Sequence, residues 1–338
     1  MAQKIILDCD PGIDDALAIA FAAGSPGLEL CGITTVAGNV GLDLTTSNAQ
    51  RVREFIGARG VPVTPGSPAP LLRPPMDARD VHGETGLGGA LLPPPESRPS
   101  GGHAIDYLIE TIGAAPGEIT LIATGPLTNI ALAVHREPQL VSQVRDFVIM
   151  GGSAGRGNVT PAAEFNIAAD PEAAAIVFHA GWTVTMVGLD VTLQARATAA
   201  VSDRIRPLGA LASELVLPGL AHYASDEDPL AAVPGAGPGW RAGRDDDALD
   251  AIAPGPAVHD VCAVAYVADS ALLGCLPARV EVETTGRWTS GMTVTDFRAP
   301  AAERNALVAT AIDVGGFWDR VVDAYANVAA AMRTRTAR

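Results

Sequence analysis

The sequence predicts a single-domain α/β protein with a mostly parallel sheet flanked by helices, in the open Rossmann-like manner. Three observations predict it. Short apolar runs alternate with stretches of helical periodicity along most of the chain. The strand-like runs end on polar or glycine residues, and no linker or composition break divides the 338 residues. A chain of this length, 48% hydrophobic and 18% charged, can bury one large core.

Each element has a local reason. Residues 5–7 form a continuous apolar run, as in a strand buried on both faces. Pro11-Gly12 ends it, and Ile13, Leu17, Ala20 and Phe21 then recur at helical spacing. Strands are predicted over 30–36, 119–124 and 147–150, with 184–189 extended. Helices are predicted over 44–56, 127–135, 171–180 and 202–222. Residues 225–256, rich in Pro, Gly and Asp, read as a mobile loop with a short helix. An apolar helix over 261–273 follows, with His259 near its cap. Residues 279–286 and 292–297 pattern as a hairpin, 306–312 as a strand and 317–332 as a closing helix.

In such folds ligands bind beyond the carboxyl ends of the strands. Those ends are Asp10, Gly38-Asn39, Thr124-Gly125, Met150-Gly151 and Asp190. Taken singly, Asn39 or Thr124 reads as a turn residue or helix cap. Their coincidence on one rim points to a site.

The first strand end is the most informative segment. Asp8, Asp10, Asp14 and Asp15 crowd four carboxylates into eight residues. Two like charges about 4 Å apart repel by roughly 4 kcal/mol at an effective dielectric near 20. The nearby base, Lys4, lies at the other end of the strand, so the economical reading is a hard divalent ion held by oxygen ligands. Acidic residues in a first helical turn are ordinary, and that accounts for Asp14 and Asp15. It leaves Asp10, which precedes the helix, unexplained.

A formal net charge of −15 argues against a nucleic acid polymer as partner. Cys9, Cys31, Cys262 and Cys275 show no CxxC pair and read as free thiols of a reducing compartment. The first strand begins too early for a signal peptide, and no apolar run is long enough to span a bilayer. A cytoplasmic enzyme without a membrane partner is expected. Lys4 is the chain's only lysine and lies upstream of the strand end, which argues against Schiff-base chemistry.

The motif Asp8-Cys9-Asp10-Pro11-Gly12-Ile13-Asp14-Asp15-Ala16 resembles the N-terminal fingerprint of the inosine-uridine nucleoside hydrolases. The likeness continues in order through Val36-Ala37-Gly38-Asn39-Val40, Val81-His82-Gly83-Glu84-Thr85-Gly86-Leu87, Gly125-Pro126-Leu127-Thr128-Asn129 and Met150-Gly151-Gly152. It goes on through Asn158, Glu164-Phe165-Asn166, Asp170-Pro171-Glu172-Ala173-Ala174, Val258-His259-Asp260 and Gly291-Met292-Thr293-Val294-Thr295-Asp296. The first and the Glu-Phe-Asn segments are specific; the glycine motifs alone are weak.

The resemblance implies the nucleoside hydrolase fold and a Ca²⁺-dependent cleavage of the N-glycosidic bond of purine or pyrimidine ribonucleosides, in nucleoside salvage. It implies that Asp10, Asp15, the backbone carbonyl of Thr124 and Asp260 hold the calcium. Asp14, Asn39, Asn158, Glu164 and Asn166 then hold the ribose hydroxyls, with Met150 beside the sugar. Asp10 takes the proton of the attacking water, and carboxylates stabilise the charge that develops on the ribosyl group. His259 suits protonation of the leaving base. His82 either assists it or caps the loop from Gly83 to Gly86, and both readings stand. Relatives form dimers or tetramers, which implies a homodimer or homotetramer here.

Three departures from the family pattern stand out. Val261 follows His259-Asp260 where proline is usual. Ala168-Ala169 thins the packing near the ribose. The 225–256 segment replaces a region that often supplies aromatics to the base, leaving Tyr223 and Trp240 as candidates.

Other readings compete. Gly151-Gly152-Ser153-Ala154-Gly155 matches G-x-S-x-G, and Ser153, Asp190 and His259 fall in the order of an α/β-hydrolase triad. A nucleophile elbow must enter a helix, however, and the residues after Gly155 do not readily continue one. Asp8-x-Asp10 is also similar to aspartyl-phosphate phosphatases, but there is no downstream lysine to bind phosphate. A catalytically silent nucleoside-binding protein is the alternative outside enzymes.

Overall fold

Residues 2–225 and 255–336 are described by a computed structural model. The proposed loop over 225–256 and Trp240 therefore fall almost wholly outside the described residues. Nine strands form one sheet in the order β3-β2-β1-β4-β5-β6-β9-β7-β8. They are β1 (Gln3–Cys9), β2 (Leu28–Thr35), β3 (Val63–Pro65), β4 (Ile119–Ala123), β5 (Phe147–Met150), β6 (Val184–Val187), β7 (Leu273–Val282), β8 (Thr293–Asp296) and β9 (Ala306–Ile312). From β3 to β9 the pairing is parallel, and β7 joins β9 and β8 antiparallel at one edge.

Helices α1 (Ile13–Gly24) and α2 (Leu42–Ile56) follow β1 and β2. The short α3 (Arg79–His82) and α4 (Ala104–Ala114) lead to β4, which α5 (Thr128–Arg136) and α6 (Leu140–Gln143) follow. Between β5 and β6 lie α7 (Phe165–Ala169) and α8 (Pro171–Phe178). After β6 come α9 (Leu189–Thr192), α10 (Ala199–Ile205) and α11 (Leu217–Ser225). Helix α12 (Asp260–Ala268) precedes β7, and α13 (Val314–Thr336) closes the described chain. No described helix is long and apolar enough to cross a membrane.

The period of two assigns the faces. Ile5, Leu7 and Cys9 of β1 join Leu17, Phe21, Phe317 and Tyr325 in one apolar layer, whereas Ile6 joins Leu108 and Ile130 in the other. Asp8 and Asp10 share the parity of Ile6. The contact of α1 with α13 is close enough to require Gly24, since a Cβ there would run into the backbone carbonyl of Ala324. Tyr325 completes it by donating to the Leu17 carbonyl (3.2 Å).

The order of strands reverses at β1. The chain steps outward through β2 and β3, then returns to place β4 on the other side of β1. A crevice opens where two neighbouring strands send their connections to opposite sides. The register puts Asp8 opposite Ala123 and Cys9 opposite Thr35, so Asp10 and Thr124 emerge together at its mouth.

Two predicted helices are corrected. The 202–222 stretch is broken into α10, a 3₁₀ turn over Arg206–Leu208, a π-helical turn over Leu211–Val216 and α11. Pro207 removes an amide donor, and Gly209 adopts φ +65°. The 261–273 stretch ends at Ala268, because the Asp269 side chain caps a new 3₁₀ turn at the Ala271 amide and Leu273 begins β7. Short apolar runs do not by themselves distinguish helix from strand. For the same reason the first hairpin strand starts at Leu273, six residues before the predicted start.

The loop that covers α2 is tied down by one carboxylate. Glu54 is buried, which pushes its carboxyl up, yet the Ser97 hydroxyl, the Glu96 and Ser97 amides and the Arg53 guanidinium outweigh burial and hold it down at about 2. A carboxyl depressed on folding stabilises the protein above its unfolded pKa and loses that effect as the pH falls through the folded one. Glu54→Gln should therefore lower stability by about 3 kcal/mol near neutral pH. The deficit should shrink between about pH 4.5 and 2 in denaturant titrations; a deficit independent of pH would contradict the assignment.

Candidate functional site

The turn from β1 into α1 is built from backbone and carboxylates together. Gly12 precedes α1 and donates its amide to Asp15 Oδ2 (2.9 Å). A Cβ at Gly12 would strike His82 and Asn39, so only glycine lets both side chains approach. Asn39 braces the turn from β2. Its amide donates to Asp10 Oδ2 (2.7 Å), and its Nδ2 donates to the Asp10 carbonyl and to Asp15 Oδ2 (both 3.1 Å). Thr124, at the end of β4, donates its hydroxyl to Asp15 Oδ1 (2.9 Å).

Four carboxylates converge there. Carboxylate oxygens of Asp14, Asp15 and Asp260, all buried, lie within 4.8 Å of one another. Asp10 packs between Gly38 and Gly125, and its Oδ1 is buried without a hydrogen-bond partner among the described residues. Burial, then repulsion from Asp15 and Asp14, raises the Asp10 carboxyl well above the usual range. Burial and the charge of Asp14 lift Asp15 to about 7. Burial and the other three carboxylates raise Asp260.

These observations fit a hard cation. All the donors are oxygens, one is buried and unpartnered, and ionisation is opposed chiefly by burial and by the neighbouring carboxylates. The Thr124 carbonyl adds a neutral oxygen at the same crevice. It accepts from Asn166 Nδ2 (2.9 Å), which leaves it a second lone pair. The structure groups Asp14 with Asp15 and Asp260 as carboxylates that could hold a metal ion, and adds a further tie, since the Tyr223 hydroxyl donates to its Oδ1 (2.8 Å).

Asp8 belongs elsewhere. It accepts from the Thr34 hydroxyl and from Asn129 Nδ2 (2.8 Å), and Asn129 also reaches the Thr35 carbonyl and the Ser67 amide. Burial lifts its carboxyl to about 7. Asp8 thus anchors β1 to β2 and α5, and the predicted crowding of four consecutive carboxylates is three from this segment plus Asp260 from α12.

The opposite wall comes from β5 and α7. Glu164 caps α7, accepting from the Asn166 and Ile167 amides (2.9 and 3.2 Å) and from the Gly152 amide (2.9 Å); burial lifts it to about 7. Asn166 donates to the carbonyls of Thr124 and Met150 and so bridges the ends of β4 and β5. Met150 is buried with its sulfur 3.6 Å from Asn166 Nδ2. Asn158 is exposed, and its Oδ1 accepts from the Phe165 amide (3.0 Å), closing the turn before α7.

The histidines separate. His82 Nδ1 accepts from the Ile13 amide (3.1 Å), so it caps α1 and not the loop from Gly83 to Gly86. Burial lowers its pKa to about 4, which keeps the ring neutral in this capping role. Tyr223 packs on it edge-on, with centroids 5.3 Å apart. His259 Nδ1 pairs with the Thr192 hydroxyl (2.8 Å), and burial lowers its pKa. The sequence reading missed Thr192 and the bond from Tyr223 to Asp14; no spacing signal connects either pair.

The serine triad does not form. Ser153 Oγ reaches Asp190 Oδ2 (3.4 Å) and accepts from the Gly155 amide, but His259 turns to Thr192. No helix follows Ser153 until Phe165.

Repulsion among these carboxylates has a direct consequence. Asp260→Asn should raise the melting temperature of the metal-free protein near pH 7.5 by several degrees, because a carboxyl whose ionisation the site opposes is removed. A carboxyl raised on folding destabilises only above its unfolded pKa, so the gain should shrink towards pH 5. A lower melting temperature at both pH values would contradict the repulsion.

Residues 5–319 match the family described as inosine-uridine preferring nucleoside hydrolase. A protein of that name from Leishmania major is 43% identical over 97% of this chain and 99% of its own length. The non-specific ribonucleoside hydrolase RihC of Klebsiella pneumoniae is 43% identical over 94% of this chain and 96% of its own. Among solved structures, a purine-preferring ribonucleoside hydrolase from Gardnerella vaginalis superposes with a TM-score of 0.85 at 31% identity, covering 97% of this chain and 99% of that one.

Proposed function

We propose, from the premise that the chain belongs to the inosine-uridine preferring nucleoside hydrolase family and is a ribonucleoside hydrolase, that it is Ca²⁺-dependent and cleaves both purine and pyrimidine ribosides. It would act in nucleoside salvage in the cytoplasm as a homodimer or homotetramer. The observation that carries the metal is the buried, mutually repelling set of Asp10, Asp14, Asp15 and Asp260 at the crevice between β1 and β4.

Asp15 and Asp260 would hold the calcium, with Asp10 through its unpartnered Oδ1 and Thr124 through its carbonyl. When bound, the ion neutralises the carboxylates, orients the ribose hydroxyls and promotes ionisation of water. The rest is the work of the side chains. Asp10, freed of its proton, would accept one from the attacking water. Asp14 and Glu164 bind ribose hydroxyls and stabilise positive charge growing on the ring. Asn39, Asn158, Asn166 and Met150 complete the sugar site.

Asn39 and Asn166 already donate to the site's own backbone and carboxylates, which holds the ribose pocket rigid before substrate arrives. His259 presents its other nitrogen to the leaving base. His82, whose Nδ1 is engaged by the Ile13 amide, supports it from behind the turn.

Base selectivity is expected to be loose. The names of the relatives differ in base, from inosine-uridine preferring to non-specific to purine-preferring. Such discrimination is typically worth only about 1 to 3 kcal/mol where no hydrogen bond to the base is obligatory.

Inosine and uridine should be hydrolysed within about a hundredfold of each other, and 2′-deoxyuridine more than about a thousandfold more slowly, since a ribose site built of buried polar groups is left unfilled. Exhaustive chelation should abolish base release and Ca²⁺ should restore it. Release that survives chelation, or rapid cleavage of 2′-deoxyuridine, would contradict the reading.

A further inference from the structure

We propose that Thr192 is a positioning residue for His259, holding the ring by Nδ1 so that Nε2 is the nitrogen that delivers a proton to the leaving base. The inference rests on the reading of His259 as proton donor.

Thr192 is fully buried at the end of α9, and His259 Nδ1 is 2.8 Å from its hydroxyl. A buried hydroxyl hydrogen needs an acceptor, and an unprotonated ring nitrogen is one. With Thr192 donating to Nδ1, the neutral ring carries its hydrogen on Nε2. The bond made by one ring nitrogen fixes the state of the other. When the ring is doubly protonated the threonine oxygen accepts from Nδ1, so the ring can give its Nε2 proton to the base and be left neutral with its hydrogen on Nδ1.

The backbone around the pair is fixed from two sides. Arg196 and Ala257 form an isolated antiparallel bridge, with Val258 donating to the Ala195 carbonyl (3.0 Å) and Ala197 to the Pro256 carbonyl (2.9 Å). The residues leading into His259 are therefore strapped to the segment that follows α9. Helix α9 is in turn tied to the sugar side of the site. The Leu189 amide donates to the Gly152 carbonyl (3.0 Å), while the Gly152 amide donates to Glu164 (2.9 Å). Asp190 reinforces this by accepting from the Ala154 amide (2.8 Å). One turn at the end of β5 thus sets both a proposed ribose ligand and the residue that orients the proposed donor.

The test compares inosine with a nitrophenyl riboside, whose leaving group needs no proton, in T192V, T192S and H259A. General acid catalysis contributes about 10²- to 10⁴-fold in all, and loss of its orientation should take about tenfold of that. T192V should lower kcat on inosine about tenfold, leave the nitrophenyl riboside within about twofold, and leave KM for both little changed. T192S should restore inosine to within about threefold. Nitrogen-15 NMR of the neutral His259 ring should show the hydrogen on Nε2 in the wild type and a mixture of tautomers in T192V.

Equal losses on both substrates in T192V, or an unchanged tautomer with unchanged kcat, would overturn the role of Thr192. If H259A keeps the selective loss on inosine in that case, the donor reading survives. If H259A itself loses equally on both substrates, the donor reading falls, and the proposal for Thr192 with it.

Discussion

The structure depends on the repulsion among Asp10, Asp14, Asp15 and Asp260. Each is buried, and for Asp10, Asp15 and Asp260 burial and the neighbouring carboxylates together push the carboxyl towards its neutral form. An apolar replacement would relieve the cost at once. The fold instead surrounds these groups with hydrogen-bond donors and glycine contacts, an arrangement that could hold a cation.

The architecture serves that arrangement at each level. The reversal of strand order at β1 opens the crevice, and the register of β1 with β4 brings Asp10 and Thr124 to its mouth. Gly38 and Gly125 let the chain close on either side of the Asp10 carboxylate. Asn129 fastens the strand one step below through Asp8, so that the carboxylates above it have a fixed base. Asn166 bridges β4 and β5, joining the proposed metal site to the proposed sugar site through two carbonyls. The polar side chains of the site are thus largely held by one another before any ligand arrives.

Much of this was legible in the sequence because it is local. Strands β5 and β9 have the predicted limits, since uninterrupted apolar runs between turn residues mark a buried parallel strand. The rim of Asp10, Asn39, Thr124 and Met150 followed from strand ends alone. What sequence could not supply was contact between distant residues. The partnership of Thr192 with His259 spans 67 positions and that of Tyr223 with Asp14 spans 209. His82 was expected either to assist protonation of the base or to cap the loop from Gly83 to Gly86; in place of the loop, its Nδ1 caps α1, where Gly12 leaves room for its ring. Asp8 shares the face of Asp10 by its period of two, as expected, but its partners on β2 and α5 draw it out of the cluster.

If these carboxylates hold a cation, the melting temperature of metal-free protein reports it directly as Ca²⁺ is added. A ligand that binds only the folded state adds about 2.7 kcal/mol at a hundredfold excess over its dissociation constant. The melting temperature should climb with the logarithm of Ca²⁺ concentration, with saturation at one ion per chain by calorimetry. A melting temperature unmoved by millimolar Ca²⁺ would contradict it.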